Sequence, residues 1–266
     1  MATEACVHDT AGETEFYRRG LMLLHQSGYP FLVGGAFALQ HHVGVIRRTK
    51  DLDVFVLADD IQGVLDVFKA AGYRTALPFT HWLGKVFCGD CLLDVIFGSG
   101  NGICRVDRRW FEHAPDGQVL GIQVKLCPVE ETIWQKSFVL ERDRCDVADV
   151  AHLLLQHGSR LDWPRLVERF EMHWPLLAAQ LVLFDFIYPD HRACIPDGVR
   201  NDLLGRLIQA PKGERPTRAR CHGPLLSATQ YLDEVVAGDF DDARKSPPAN
   251  MTEEQIAVWT ANFVKP

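Results

Sequence analysis

Two aspartates interrupt an apolar run in the first quarter of the chain, and this interruption constrains the fold more than any other feature. The run is "RTKDLDVFVL", in which Asp51 and Asp53 alternate with aliphatic residues. Successive residues of a β-strand point to opposite faces of a sheet. The alternation therefore predicts a strand that turns both carboxylates to one face and its aliphatic side chains to the other.

Two carboxylates on one face of a strand repel each other unless positive charge lies between them. Carboxylate oxygens are hard ligands that suit Mg²⁺ or Mn²⁺. A third carboxylate, Asp94, lies in the apolar run "CLLDVIFG", where an unpartnered charge would be costly. We therefore expect Asp94 on a strand beside Asp51 and Asp53, with the three as ligands of a divalent metal. Two solvated aspartates at an exposed strand end are the alternative explanation of the pair.

The residues before this strand suit a phosphate group. Gly34 and Gly35 precede a predicted short helix, "AFALQHH", whose first backbone N–H groups and positive dipole end favour anions. Arg47, Arg48 and Lys50 add positive charge just before the carboxylates. These residues predict a binding site for the phosphates of a nucleotide.

The combination of a GG motif, a short helix, R-x-T-x-D-x-D and a later strand aspartate resembles the nucleotidyltransferase superfamily of DNA polymerase β. Within it, the pattern is similar to the bacterial group of abortive-infection toxin nucleotidyltransferases and aminoglycoside adenylyltransferases. The residues that carry the resemblance are Gly34, Gly35, Arg47 or Arg48, Thr49, Asp51, Asp53 and Asp94.

The resemblance extends to "EETIWQKSFVLERDRCDVADV", which is similar to a helix that follows the catalytic domain in that group. There the pattern is a lysine followed by R-x-x-D-x-x-D, and Lys136, Arg144, Asp146 and Asp149 are similar to it, with Asp146 two residues after Arg144 instead of three. The match implies that Lys136 approaches the nucleotide phosphates. A surface lysine paired with Glu131 or Asp143 is the alternative interpretation.

The family implies metal-dependent transfer of a nucleoside monophosphate from an NTP, with ATP expected, to an acceptor hydroxyl, with release of pyrophosphate. Asp51 and Asp53 would bind both metal ions, while Asp94 would ligate one and accept the proton. The acceptor is left open between a small hydroxylated molecule and RNA. A catalytically inactive nucleotide-binding or toxin–antitoxin-like interaction protein on the same fold is the alternative function.

Strand and helix patterns alternate up to about residue 125, which is typical of an α/β (α+β) domain. We expect a nucleotidyltransferase domain over 1–126, with a mixed β-sheet flanked by helices, and a mainly helical domain over 127–266. The second half contains one basic cluster that keeps RNA in consideration, although a solvated loop also explains it: Lys212, Arg215, Arg218 and Arg220.

The remaining features limit the other functional classes. A formal net charge of -7 disfavours general nucleic-acid binding. We find no apolar run near the roughly 20 residues of a membrane span and no signal peptide, so a cytoplasmic location without a membrane is expected. Cys88 and Cys91 form a CxxC pair that is half of a zinc site, or else face each other across a two-residue hairpin turn at Gly89 and Asp90.

Overall fold

The computed structural model describes residues 10–45, 49–209 and 219–263 of the 266-residue chain. Its centre is a five-stranded sheet of β1 (Leu32–Val33), β2 (Asp51–Phe55), β3 (Arg74–Phe79), β4 (Leu83–Cys88) and β5 (Cys91–Ile96). The strand order is β1-β2-β5-β4-β3. The β2–β5 pair is parallel and the other pairs are antiparallel. This mixed sheet confirms the predicted fold class and places the two aspartate-bearing strands side by side.

One face of the sheet is covered by the helices α1 (Thr10–Ser27) and α3 (Ile61–Ala70). Their apolar side chains pack against the aliphatic residues that alternate with the aspartates. This core includes Leu21, Leu24, Leu52, Val54, Val64, Phe68, Val86, Leu93 and Val95. The period-two pattern of β2 thus buries the aliphatic residues that the sequence predicts, and α3 buries Val64, Leu65 and Phe68 at helical spacing.

The opposite face carries the aspartates and is buried only in part. Beyond Asp53, Phe55 packs into a second core, and its ring stacks on Trp110 with the centroids 5.5 Å apart. Ile96 and Leu83, its neighbours across the sheet, belong to the same core. The aspartates therefore lie where the covered part of this face ends.

Helices predominate in the rest of the chain, as the sequence predicts. The helix between β1 and β2 is α2 (Gly35–Val43). The elements after β5 are α4 (Arg108–Glu112), β6 (Asp116–Val119), β7 (Ile122–Lys125), α5 (Val129–Ser137), α6 (Val147–His157), α7 (Trp163–Phe170), α8 (Trp174–Ile187), α9 (Asp197–Gln209), β8 (Ala219–Cys221), α10 (Leu232–Val236), β9 (Phe240–Asp242) and α11 (Glu253–Ala261). The second core takes residues from both sides of position 126, so the division into two domains there stays a prediction.

The segment 130–150, which the sequence pattern suggested as one helix, is instead two helices, α5 and α6. Between them the chain forms a tight hairpin in which Leu140 bridges Cys145. The Leu140 N–H donates to the Leu226 carbonyl at 3.1 Å, and the Glu141 carboxylate accepts from the Ala228 N–H at 2.7 Å. These contacts with a distant segment replace the hydrogen bonds that a continuous helix would have made.

The segment Trp163–Ile187 is long and apolar enough, by length and composition alone, to cross a membrane, contrary to our expectation from the sequence. It is not one straight helix, because Glu171 interrupts it with φ of 45°. It also contains Arg165, which is buried against Glu131. Leu177, Leu181 and Phe184 pack into the second core, whereas Val182 and Phe186 are exposed.

The β4–β5 turn confirms the hairpin interpretation of the CxxC pair. Cys88 and Cys91 are register partners, and Gly89 in the turn has φ of 57°. Both side chains are free thiols. Within the described ranges, the only group of three or more potential metal ligands is formed by aspartates elsewhere in the sheet.

Candidate active site

Asp51, Asp53 and Asp94 come together as the sequence predicts, and we call them the acidic triad. Each offers a carboxylate oxygen, and these oxygens all lie within 4.8 Å of one another. Asp53 and Asp94 are register partners in the parallel β2–β5 pair. Asp51 projects from the same face of β2 because it is two residues before Asp53. The strand pairing therefore fixes the relative positions of the three carboxylates.

The two glycines hold the start of α2 against Asp53. The Gly34 N–H donates to the Asp53 carbonyl at 3.0 Å. Gly35 has φ of 54°, and a Cβ added there would lie 1.7 Å from Asp53 Oδ2. A side chain at position 35 is thus excluded by both conformation and space. The glycines allow the helix N-terminus, with its unpaired N–H groups, to lie next to the carboxylates.

Asp51 is oriented by the residue two positions before it. The Thr49 hydroxyl donates to Asp51 Oδ1 at 2.6 Å, and the Asp51 N–H donates to Thr49 Oγ1 at 3.4 Å. This local turn orients the Asp51 carboxylate before any ligand binds. Thr49 therefore positions a member of the acidic triad, while its predicted contact with a nucleotide stays a prediction.

Asp94 is paired with a lysine on the neighbouring strand. Lys85 and Asp94 are register partners in the β4–β5 pair, and Lys85 Nζ lies 3.0 Å from Asp94 Oδ1. The Lys85 and Asp94 side chains are 24% and 14% exposed. Lys85 lies four residues before Gly89 and Asp94 four residues after Asp90, and this symmetry about the hairpin turn was the signal that could have identified the pair in the sequence.

The acidic triad carries more negative charge than its surroundings compensate. Burial, together with the carboxylates of Asp51 and Asp94, raises the pKa of Asp53 to about 7, against the opposing effect of Lys136 and Arg144. Burial also raises the pKa of Asp94, although Lys85 opposes this shift. Three close carboxylates, of which Asp53 and Asp94 have a raised pKa, are a donor set that fits a hard divalent cation such as Mg²⁺ or Mn²⁺.

Lys136, on α5, lies near the acidic triad but is bound elsewhere. Its ammonium donates to Asp146 at 2.9 Å and to Asp149 at 2.7 Å. The partners suggested by the sequence, Glu131 and Asp143, are therefore wrong, whereas the lysine and the two aspartates of the family pattern do form one cluster. Its effect on the pKa of Asp53 shows that the positive charge reaches the site, and its contact with phosphates stays a prediction.

The other residues predicted to bind a nucleotide are only partly described. Arg47 and Arg48 lie outside the described residues. Lys50 is exposed at the start of β2. Arg144 donates to Asp146 at 3.3 Å, and the aspartates at 51 and 53 contribute to its raised pKa. The described cations around the acidic triad thus come from β4, from α5 and from the hairpin that follows α5.

A second charged cluster, which we call the arginine network, lies among α4, α5 and α7. Glu131 is fully buried and accepts from Arg165 at 2.7 Å and from Arg169 at 3.0 Å. Glu130 also pairs with Arg165, at 2.6 Å. Arg169 also donates to the Asp107 carboxylate at 2.9 Å, and this carboxylate caps the start of α4. No sequence motif pointed to this network, because its members are distant in the chain.

Comparisons with known proteins give similarity at the level of structure alone: no family model matches the chain, and no curated protein matches its sequence. One similar structure is that of the antibiotic-resistance factor ANT(2'')-Ia, with 18% identity, 69% of this chain and 98% of that chain covered, and a TM-score of 0.43. A second is the lincomycin-bound lincosamide antibiotic adenylyltransferase LnuA, with 16% identity, 53% of this chain and 94% of that chain covered, and a TM-score of 0.39.

A third similar structure is an antigenic nucleotidyltransferase-like protein from Paracoccidioides brasiliensis, with 13% identity, 64% of this chain and 92% of that chain covered, and a TM-score of 0.36. The names of the second and third structures include adenylyltransferase and nucleotidyltransferase. The chain has a mixed-sheet fold in which the acidic triad lies beside the glycine-bounded start of α2.

Proposed function

We propose that this protein is a metal-dependent nucleotidyltransferase that moves a nucleoside monophosphate from an NTP, with ATP expected, to an acceptor hydroxyl and releases pyrophosphate. The observation that supports this most is the convergence of three carboxylates within 4.8 Å beside a helix N-terminus. Residues 1–126 would supply the catalytic groups, and residues 127–266 would shape the acceptor side.

The acidic triad would hold one or two Mg²⁺ or Mn²⁺ ions, which neutralise phosphate charge and lower the pKa of the attacking hydroxyl. The N–H groups at the start of α2 would bind the β- and γ-phosphates, since Gly34 and Gly35 keep that backbone accessible. Arg47, Arg48, Thr49, Lys50 and Lys136 are the further residues proposed to bind the nucleotide.

In the transfer step, the acceptor oxygen forms a bond to the α-phosphorus, and the bond from that phosphorus to the oxygen bridging to the β-phosphorus breaks. Pyrophosphate leaves with the electron pair of the broken bond. The proton of the acceptor hydroxyl passes to Asp94, the carboxylate on the strand beyond Asp53. The raised pKa of Asp94 favours this transfer, because a carboxylate with a higher pKa is a stronger base.

The experiment that tests the function is incubation of the protein with each NTP labelled at the α-phosphate. Separate pools of RNA, protein and small metabolites serve as acceptors, and pyrophosphate release is measured with and without Mg²⁺. We expect Mg²⁺-dependent labelling of one pool. Saturable NTP binding without pyrophosphate release from any pool would instead indicate the non-catalytic nucleotide-binding protein.

An Asp51→Asn, Asp53→Asn double variant tests the proposed roles of the acidic triad. We expect it to lose transfer by at least about 1000-fold, since the metal ligands supply most of the charge stabilisation. Asp116→Asn is the matched control, because Asp116 is 82% exposed and lies on β6, outside the sheet of the acidic triad. Undiminished transfer by the double variant would contradict the assignment.

A further inference from the structure

The face of the sheet that carries the acidic triad continues across β4 to the edge strand β3. The strand register gives two rows across this face: Asp53, Asp94, Lys85 and Ala76 in one, and Asp51, Leu92, Phe87 and Arg74 in the other. We call the part formed by Ala76, Arg74, Lys85, Phe87 and Leu92 the cationic shelf. Arg74 is exposed and the other four are partly exposed, so this part of the face is open to a ligand.

The position of the cationic shelf relative to the phosphate site identifies what it would contact. The start of α2 lies at the β1–β2 side of the acidic triad, and the shelf lies on the opposite side, beyond Asp94. In phosphoryl transfer the attacking and leaving oxygens lie roughly in line on opposite sides of the phosphorus. With pyrophosphate bound at α2, the acceptor therefore approaches from the cationic shelf.

The side chains of the cationic shelf favour an anion. Lys85 carries three N–H donors, of which the bond to Asp94 uses one. The Arg74 guanidinium lies over the Phe87 ring, 3.6 Å from its centroid. A guanidinium over a ring can offer its other face for stacking on a nucleobase and its edge for bonds to phosphate. The shelf thus provides two cations and a stacking plane next to the third carboxylate.

We propose that the acceptor is of the nucleotide type, with a phosphate group close to its reacting hydroxyl and a base that stacks on Arg74. Lys85 would bind the phosphate while it keeps Asp94 in place. This inference rests on the proposed nucleotidyltransferase function, and the transfer step is the one given above. A polycationic aminosugar would meet two like charges at Lys85 and Arg74, and it is therefore disfavoured.

Acceptor choice is the first part of the test. The full chain is incubated with a labelled NTP and, in separate arms, with a single-stranded RNA bearing a free 3′-hydroxyl, the same RNA blocked by a 3′-phosphate, a free ribonucleoside monophosphate, and a polycationic aminosugar. Labelling of the open RNA or of the free nucleotide supports the proposal and distinguishes the two sources. Labelling of the aminosugar in place of both nucleotide sources overturns it.

A charge-removing variant is the second part of the test. We expect Arg74→Gln, which leaves the Lys85–Asp94 pair intact, to raise the KM for the acceptor at least about fivefold, since a stacked and charge-assisted contact is lost. The KM for the NTP and the dissociation constant of Mn²⁺, measured by calorimetry, should change less than about twofold. The control is Arg206→Gln, which removes one positive charge from a side chain that is 43% exposed outside the shelf.

The possible failures are distinguishable. An unchanged acceptor KM in the shelf variant, with transfer intact, overturns the nucleotide-type acceptor and leaves the proposed function standing. Equal rises in the acceptor KM, the NTP KM and the dissociation constant of Mn²⁺ also overturn it, because they indicate a general effect on the sheet. Absence of pyrophosphate release with all acceptor pools is the failure of the proposed function itself. An Arg74→Lys variant separates stacking from charge, and we expect a partial rise in acceptor KM.

Discussion

The acidic triad and the arginine network are both clusters of carboxylates, but they differ in how their charge is compensated. In the arginine network, Glu131 is enclosed by two guanidinium groups, from Arg165 and Arg169. In the acidic triad, three carboxylates share one direct ion pair among the described residues, from Lys85 to Asp94. The carboxylate charge of the arginine network is compensated within the fold, whereas the acidic triad keeps an excess of negative charge. A bound divalent cation would neutralise this excess.

The comparison is tested most strongly by removing Glu131. Glu131→Ala leaves Arg165 and Arg169 buried without their shared carboxylate, so the free energy of unfolding should fall by about 3–5 kcal/mol. Chemical denaturation measures this change. As a control, Glu168→Ala removes the 63% exposed partner of Arg109 and should have a much smaller effect, because solvent screens an exposed ion pair. Equal effects of the two substitutions would contradict the difference between buried and exposed pairs.

Removing a negative charge from the acidic triad should raise the free energy of unfolding, whereas removing Glu131 lowers it. The pKa of Asp53 in the folded protein is about 7 instead of 3.8, so the folded chain binds a proton between these pH values that the unfolded chain has lost. Metal-free stability therefore falls as the pH rises through this window, and the penalty is complete above pH 7. We expect Asp53→Asn to raise the metal-free free energy of unfolding at pH 8 by on the order of 2 kcal/mol.

Two conditions check this second prediction. At pH 4 the stabilisation by Asp53→Asn should be small, since Asp53 of the folded wild-type protein is then protonated. At pH 8 with saturating Mn²⁺ the order should reverse, because metal stabilises the wild-type protein and binds the variant less tightly. A variant less stable than the wild type in metal-free solution at pH 8 would show that the acidic triad is already compensated.

Backbone geometry beside the acidic triad gives a smaller effect. Gly35→Ala should lower the free energy of unfolding by at least about 1–2 kcal/mol, the cost of the left-handed conformation alone, and the new methyl group should in addition displace the Asp53 carboxylate. Gly44→Ala is a matched control, because Gly44 has φ of 71° but nothing lies within 4 Å of its added Cβ. Both substitutions should destabilise the fold, while only Gly35→Ala should weaken Mn²⁺ binding. Equal Mn²⁺ affinities would mean that the helix start does not determine the position of Asp53.

The smallest effect concerns the pH dependence of metal binding. Because the pKa of Asp53 is about 7, binding at lower pH must first remove a proton from this carboxylate. Mn²⁺ affinity should therefore rise about tenfold from pH 6 to pH 8 and level off above that range. Calorimetric titration at several pH values measures it. A constant affinity across this range would indicate that Asp53 is ionised throughout.

Features that depend on local periodicity could be predicted from the sequence. The alternation around Asp51 and Asp53 was sufficient to assign their face, and the cost of a lone charge in an apolar strand identified Asp94. The glycine pair also carried a local signal, since Gly35 adopts a conformation that few other residues tolerate. Each of these predictions depended on a few consecutive residues and on the requirement that a buried charge has a partner.

Features that depend on contacts between distant segments could not be predicted. The interruption between α5 and α6 depends on Leu226 and Ala228, which lie far along the chain. The pairing of Glu131 with Arg165 likewise connects helices whose packing no local pattern specifies. The sequence offered several acidic partners for Lys136, and only the packing of α5 against α6 selected two of them.

The parallel pairing of Asp53 with Asp94 has a consequence for how this protein could diverge. The chain between β2 and β5 forms α3, β3 and β4 before β5 pairs with β2, with Asp94 directly opposite Asp53. Insertions or deletions in that excursion would change the number of residues between the two aspartates and leave the geometry of the carboxylates intact. Distant homologues should therefore be recognised by an aspartate at the matching position of the returning strand, whatever its spacing from Asp53.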